Sequence, residues 1–249
     1  IIEVGEIDKI IYIAMEYIEG ISLADILKNT NSKSEDNRES KSDLSVLIEE
    51  VKSDSSETNE IKTNEYEGHS SSNQKYRILP NSIAISLMLE VCEAVSFAHK
   101  HKILHRDLKP ANIMLRNDGK PVLMDFGLAK LETGHSDEGM SMSVSGQMMG
   151  TIEYMSPEQA QSSKDVGEET DVYSIGAIFY QILTGERHFV SSGNLISDAN
   201  SLMTYTPKKS TLINKNIESD IEIITMKALR AEKQERYQNV KELQRDLQR

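Results

Sequence analysis

The string His105-Arg106-Asp107-Leu108-Lys109-Pro110-Ala111-Asn112 places a carboxylate, an ammonium and an amide within one turn-rich loop, stiffened by Pro110. Transfer of a phosphoryl group needs those three together. One orients the attacking hydroxyl, one offsets charge on the moving group and one holds a metal. A lone His-x-Asp would mean little, but chance occurrence of the full eight residues is negligible. Thirteen residues beyond Asn112 stands Asp125-Phe126-Gly127, preceded by the apolar Val122-Leu123-Met124. A carboxylate at the end of a strand, followed by a glycine free to take an unusual turn, suits a second metal ligand. Alone that tripeptide reads as a turn; in this order and spacing it is a strong signal.

Elements able to position such loops are visible in the hydrophobic pattern. Ile1–Val4 and Ile10–Met15 are short β-rich runs around Gly5-Glu6-Ile7-Asp8-Lys9, the pattern of a hairpin. Asn81 or Ser82 can cap a helix whose apolar residues (Ala84, Leu87, Met88, Val91, Ala94, Val95, Ala98) recur at spacings of three and four. Val172–Leu183 is apolar almost all round and stops at Gly185, as in a helix buried on every side. Asp220 can start a further helix carrying Ile221, Ile224 and Ala228, and Val240, Leu243 and Leu247 mark a last one. The expected architecture is α+β: mainly helical, with a small β piece at its start.

Composition varies along the chain. Residues 29–77 hold eleven serines and eleven acidic residues against seven basic ones, with no proline and one glycine. Such a stretch buries too little apolar surface to offset chain entropy, so it reads as a mostly disordered, solvated insertion with room for a short helix around Leu44–Lys52. The whole chain has 249 residues and a formal charge of −12, which argues against non-specific nucleic-acid binding and against docking on anionic lipid. Its single cysteine, Cys92, excludes a disulfide scaffold or cysteine-cluster zinc site and fits a reducing compartment; its place on the helical face suits packing. The longest clean apolar run, Ile10 to Met15, is far short of the roughly 18 residues that span a bilayer, and no signal peptide is visible. His99 and His101 read as basic residues near a helix end, favoured by its last carbonyls, rather than as metal ligands. The chain opens Ile1-Ile2-Glu3 without an initiator methionine, which reads as a piece of a longer protein.

In order along the chain, the motifs resemble those of a eukaryotic-type serine/threonine protein kinase, most similar to the bacterial branch of that family. The matching strings are Tyr12-Ile13-Ala14-Met15-Glu16-Tyr17-Ile18-Glu19-Gly20, then 105–112, 125–127 and Gly150-Thr151-Ile152-Glu153-Tyr154-Met155-Ser156-Pro157-Glu158. Thr170-Asp171-Val172-Tyr173-Ser174-Ile175-Gly176 and Glu235-Arg236-Tyr237 follow. The resemblance implies a protein-kinase-like fold, with residues 1–20 as a remnant of the N-lobe and hinge. Residues 21–249 would be the C-lobe, carrying the disordered insertion 29–77. It implies transfer of the γ-phosphate of ATP to serine and threonine hydroxyls of protein substrates, with ATP and Mg²⁺ as cofactors.

Carried over residue by residue, the resemblance makes Asp107 the catalytic carboxylate and puts Lys109 on the γ-phosphate. Asn112 and Asp125 become the Mg²⁺ ligands. Met15 would be the gatekeeper, the backbone of Glu16 and Ile18 would bond the adenine edge, and Met114 would pack beneath the ring. Thr151 would bridge to Asp107 and Lys109, a combination that favours Ser/Thr over Tyr substrates. Glu158 and Arg236 would form a structural ion pair, and Asp171 would tie the catalytic loop to the buried helix. Arg106 would pair with a phosphate on the segment 125–158, which carries Ser136, Ser141, Ser143 and Ser145; autophosphorylation is expected on one or more of the last three. Self-association would let that occur in trans. The implied location is cytoplasmic, including as the cytosolic part of a membrane-anchored protein.

The sequence also departs from the family. No Gly-x-Gly-x-x-Gly string occurs and nothing resembles Val-Ala-Ile-Lys, the parts that clamp ATP phosphates. Little or no kinase activity is therefore expected of this chain by itself. A catalytically dead pseudokinase, or a scaffold or adaptor acting through protein binding, is the alternative; intact Asp107, Lys109, Asn112 and Asp125 speak against it. Ala111 stands where many relatives that favour basic substrates carry an acid, so no basic consensus is claimed.

Overall fold

The computed structural model describes residues 3–7, 10–14, 16–28, 44–57, 75–126, 152–161 and 166–249. The chain begins with a hairpin in which β1 (Glu3–Ile7) pairs antiparallel with β2 (Ile10–Ala14), Ile7 standing opposite Ile10. Its first strand therefore lies later than the apolar run Ile1–Val4 suggests, taking in Gly5, Glu6 and Ile7, which the sequence assigns to the turn. A second, three-stranded antiparallel sheet has the order β3 (Gly20–Ser22), β4 (Ile113–Arg116), β5 (Pro121–Leu123).

Helix α1 (Leu23–Lys28) follows β3 directly, and the Ser22 hydroxyl accepts the Asp25 N–H at 3.1 Å to start it. Helix α3 (Asn81–Lys100) buries Ala84, Leu87, Met88, Val91, Val95 and Ala98 of the expected stripe, with Ala94 half-buried, and buries Ile83 and Cys92 in addition. Its start differs from expectation. Pro80 occupies the cap position and its carbonyl accepts the Ala84 N–H at 2.9 Å, while the Asn81 amide is drawn off to Asn216 O at 2.9 Å. Among the described helices only α3 is long and apolar enough to cross a membrane, and its apolar stripe is buried in the protein core.

Helix α4 (Pro157–Ala160) has a capping box made by Ser156 and Gln159. Helix α5 (Glu168–Thr184) is the axis of the molecule: every residue from Thr170 to Thr184 is buried. It stops at Gly185, which takes φ +69° and donates its N–H to Gln181 O at 2.8 Å. Around α5 pack α3, α7 (Ser219–Ala228) and α8 (Val240–Leu247), whose Val240, Leu243 and Leu247 are buried as their spacing predicts. Helix α6 (Leu195–Leu202) packs on α4 to one side, with Leu202 in a small second cluster beside Ile152 and Phe189. The result is an α+β, protein-kinase-like fold, mostly helical.

Within the segment 29–77 the structure departs from a solvated loop in two places. The short helix expected near Leu44–Lys52 extends as α2 (Leu44–Glu57), and its Leu47, Ile48 and Val51 are buried in the main core. Tyr76 is also buried, with its N–H bonded to Gly185 O at 2.8 Å, and the Arg77 N–H bonds Leu27 O at 2.7 Å. The rest of the segment lies outside the described residues.

Candidate active site

The candidate loop hangs from one buried carboxylate. Asp171, on the first turn of α5, is fully buried; its Oδ2 accepts the His105 N–H and its Oδ1 the Arg106 N–H, each at 2.9 Å. His99 Nε2 reaches the same Oδ2 at 2.7 Å, and His99 Nδ1 lies 3.2 Å from Glu168 Oε2. Burial pushes the His99 imidazole down, but the two carboxylates outweigh it, and its net displacement is upward. His99 is thus a buried ion-pair partner and not a helix-end residue serving carbonyls. His101 does serve one: its Nδ1 lies 2.9 Å from Phe97 O.

Arg106 is held in left-handed backbone at φ +66°, a conformation that costs a non-glycine residue energy unless its surroundings enforce it. Here they do, since Asp171 takes its N–H and the Gln159 side chain donates to its carbonyl at 2.8 Å. That bend presents the following residue, Asp107, to a partly open surface. Lys109 Nζ lies 2.9 Å from Asp107 Oδ2, and the Asn112 amide donates to Oδ2 at 2.9 Å and to the Asp107 carbonyl at 2.8 Å. Buried Leu108 anchors the loop beneath, and Pro110–Asn112 close it as a single 3-10 turn.

From that turn the chain runs into β4. The Met124 N–H donates to Asn112 O at 2.9 Å and Ile113 pairs with Leu123, so the base of the β4–β5 hairpin sets Asp125 beside Asn112. Asp125 is itself left-handed, at φ +57°, and exposed. Phe126 then packs on buried His105 with ring centroids 4.5 Å apart. Burial pushes the His105 imidazole down, and its Nδ1 accepts the Asp107 N–H at 3.4 Å, consistent with a neutral ring.

With both amide hydrogens of Asn112 on Asp107, its oxygen is left for a cation, and Asp125 offers carboxylate oxygens one hairpin step away. Oxygen donors of this kind suit Mg²⁺, which takes one or two protein ligands and completes its shell from phosphates and water. Among the described residues no group of three His, Cys, Asp or Glu comes together as a metal cage.

Near the start of α5, Arg236 and Glu158 meet as a two-pronged pair, both N–O distances being 2.8 Å. Burial pushes the Glu158 carboxyl up, and the Arg236 guanidinium, with the Thr170 hydroxyl, overcomes this and leaves it below the usual carboxylate range. Met114 stands on β4 opposite Ser22 and Val122, while Glu16 is exposed and Ile18 half-buried just ahead of β3. Met15, Gly127, Ser136, Ser141, Ser143, Ser145 and Thr151 lie outside the described residues. Gln159 and His99 were not foreseen in their positions. Gln159 could have been found as the fourth residue of the Ser156-Pro157-Glu158-Gln159 capping pattern, whereas nothing in the local sequence announces what His99 touches.

A family model for the protein kinase domain matches residues 1–247. The serine/threonine-protein kinase PknB of Mycolicibacterium smegmatis is 35% identical over 164 residues, covering 66% of this chain and 25% of the relative. A probable serine/threonine-protein kinase of Clostridium perfringens is 29% identical over 248 residues, covering 99% of this chain and 28% of the relative. The chain thus spans about a quarter of the length of the curated relatives it matches. A match of this extent, joined to a loop whose carboxylate, ammonium and amide converge, has one outcome: the chain belongs to the eukaryotic-type serine/threonine protein kinases of bacteria.

Proposed function

We propose that this chain supplies the catalytic loop and metal-binding turn of a protein kinase that transfers the γ-phosphate of ATP to serine or threonine hydroxyls. The observation that carries the reading is the clustering of Asp107, Lys109 and Asn112 on a loop whose backbone is fixed by buried Asp171. Asp107 accepts the proton of the attacking hydroxyl, held in orientation by the Asn112 amide. Lys109 sits where it can offset charge building on the transferring group, a preorganised cation that needs no rearrangement during the step. Asn112 Oδ1 and the Asp125 carboxylate would hold Mg²⁺. When bound, Mg²⁺ with ATP supplies the phosphoryl group and a divalent charge that eases its departure.

The remaining roles rest on the motif resemblance. Met15, Glu16, Ile18 and Met114 form the adenine side of the pocket, and Thr151 links the substrate segment to Asp107 and Lys109. Residues 1–20 act as hinge and N-lobe hairpin, and 21–249 as the C-lobe. Arg106 receives a phosphate on Ser141, Ser143 or Ser145 transferred by a second copy. Its buried Nε, which meets no hydrogen-bond partner among the described residues, supports that part. Protein substrates, and a cytosolic location whether or not the whole protein is membrane-anchored, complete the reading.

The test is transfer from γ-labelled ATP to protein serine and threonine by the complete product of the gene. Asp107→Asn is expected to lower the rate at least about 100-fold while leaving the fold intact. Transfer unaffected by that change would overturn the reading.

A further inference from the structure

We infer that α2, the helix inside the serine- and acid-rich segment, is a positioning brace for the nucleotide and metal site. Three contacts carry the inference. First, Leu47, Ile48 and Val51 are buried in the core, where α2 packs on α1, and α1 in turn packs on the Pro110–Asn112 turn. Asn112 therefore rests on α1, and α1 rests on α2. Second, α2 grips the far end of the β4–β5 hairpin. The Lys52 ammonium donates to the Asn117 side-chain oxygen, and Leu44 lies against Gly119, which makes the hairpin turn at φ +81°. Third, the same Asn117 donates from its Nδ2 to Glu19 Oε1 at 3.3 Å, and Glu19 follows directly on Glu16–Ile18.

Asn117 thus ties together α2, the tip of the hairpin whose base carries Asn112 and Asp125, and the strand that leaves the candidate adenine edge. An additional link runs from Glu50 to Arg77, with Oε2 and Nη1 3.7 Å apart, while the Arg77 N–H holds the α1 carbonyl of Leu27. The β4–β5 ladder has three paired positions and β3 adds three more on one side only, so β5 remains an edge strand whose register gains from support at the hairpin's tip and base. Support at its tip and beneath its base is what keeps Asn112 and Asp125 in step. A segment that composition alone assigns to solvent therefore reaches the chemistry through two packed layers.

The meaning of the brace for catalysis rests on the function proposed above, but its mechanical part can be read without nucleotide. Amide hydrogen exchange is measured on the whole chain and on three variants. In Ile48→Asp, which places a charge in the α1–α2 contact, exchange of the Asn112 and Met124 amides is expected to quicken about tenfold or more. The α5 amides should keep their protection. Ile48→Asp could unfold the chain outright, so Lys52→Ala, a change at a half-exposed side chain, is run beside it. About a twofold increase at the same two amides is expected there, with recovery in Lys52→Arg. Faster exchange confined to α1 and α2 in both variants would overturn the brace. Calorimetry with Mg²⁺ and a non-hydrolysable ATP analogue then separates the two ideas. Loss of affinity in the variants, made in the complete product of the gene, supports both, whereas a complete wild-type product that binds no nucleotide, with the exchange result intact, removes the proposed function and leaves the brace standing.

Discussion

At the scale of single residues, two ion pairs near the start of α5 make different predictions. Arg236 is a cation with no exposed side-chain surface, and Glu158 neutralises it through two 2.8 Å contacts. Removing one partner of such a pair strands the other in low dielectric, typically at a cost of roughly 3–5 kcal/mol. Glu158→Ala should lower stability by about that amount in urea unfolding, and Glu158→Gln, which retains an acceptor, by less. A loss below about 1 kcal/mol would show that the pair is solvated. His99 behaves differently because its charge is optional. Its pKa is raised in the folded state by Asp171 and Glu168 against the effect of burial, so the protonated ring stabilises the fold. That contribution is fully present below the unfolded value of about 6.5 and is lost as pH rises through the folded one. Melting of wild type and His99→Gln between pH 5.5 and 8.5 should therefore show a gap that narrows with rising pH. Buried His105 and His188, both held neutral by burial, oppose this trend in each protein, so only the difference isolates His99. A constant gap would refute the assignment.

At the scale of elements, α3, α7 and α8 were legible because their buried faces follow a three-four spacing, and α5 because it is apolar almost all round up to Gly185. The loop 105–112 was legible because its chemistry is contiguous. What escaped has a common cause, which is dependence on partners distant in sequence. Leu47, Ile48 and Val51 disappear when composition is averaged over residues 29–77, yet three side chains suffice once α1 offers a surface. His99 and Gln159 are ordinary in their own surroundings and gain meaning only from Asp171 and from Arg106 O, 72 and 53 residues away. Helix α5 ends at Gly185 as the sequence predicts, and the structure adds a tertiary reason. A Cβ there would stand 2.7 Å from the Tyr76 carbonyl, in addition to the left-handed φ of +69°. Gly185→Ala should therefore cost roughly 1–3 kcal/mol, read as a lower melting temperature. An unchanged melt would mean that Tyr76 yields freely.

At the scale of the whole molecule, the governing fact is how little covalent chemistry phosphoryl transfer asks of a protein and how much positioning it demands. The described structure clusters Asp107, Lys109 and Asn112 and sets Asp125 at the base of the same hairpin, the groups proposed to act on the hydroxyl and the metal. These 249 residues contain no glycine-rich string and no Val-Ala-Ile-Lys lysine to grip the phosphates from the other side. Without those groups, the proposed chemistry lacks the side of the clamp expected to hold the γ-phosphate in line with the attacking oxygen. Well-oriented intramolecular reactions draw about 7–11 kcal/mol from such alignment, so losing even a third of it costs about two orders of magnitude in rate. Residues 1–249 alone should accordingly transfer phosphate at least about 100-fold more slowly than the roughly 1–100 per second of complete kinases. The measurement is label transfer from γ-labelled ATP to a generic basic protein under saturating Mg²⁺, with Asp107→Asn as the blank. Transfer within that ordinary range, abolished in the blank, would show that these residues clamp the phosphates by themselves.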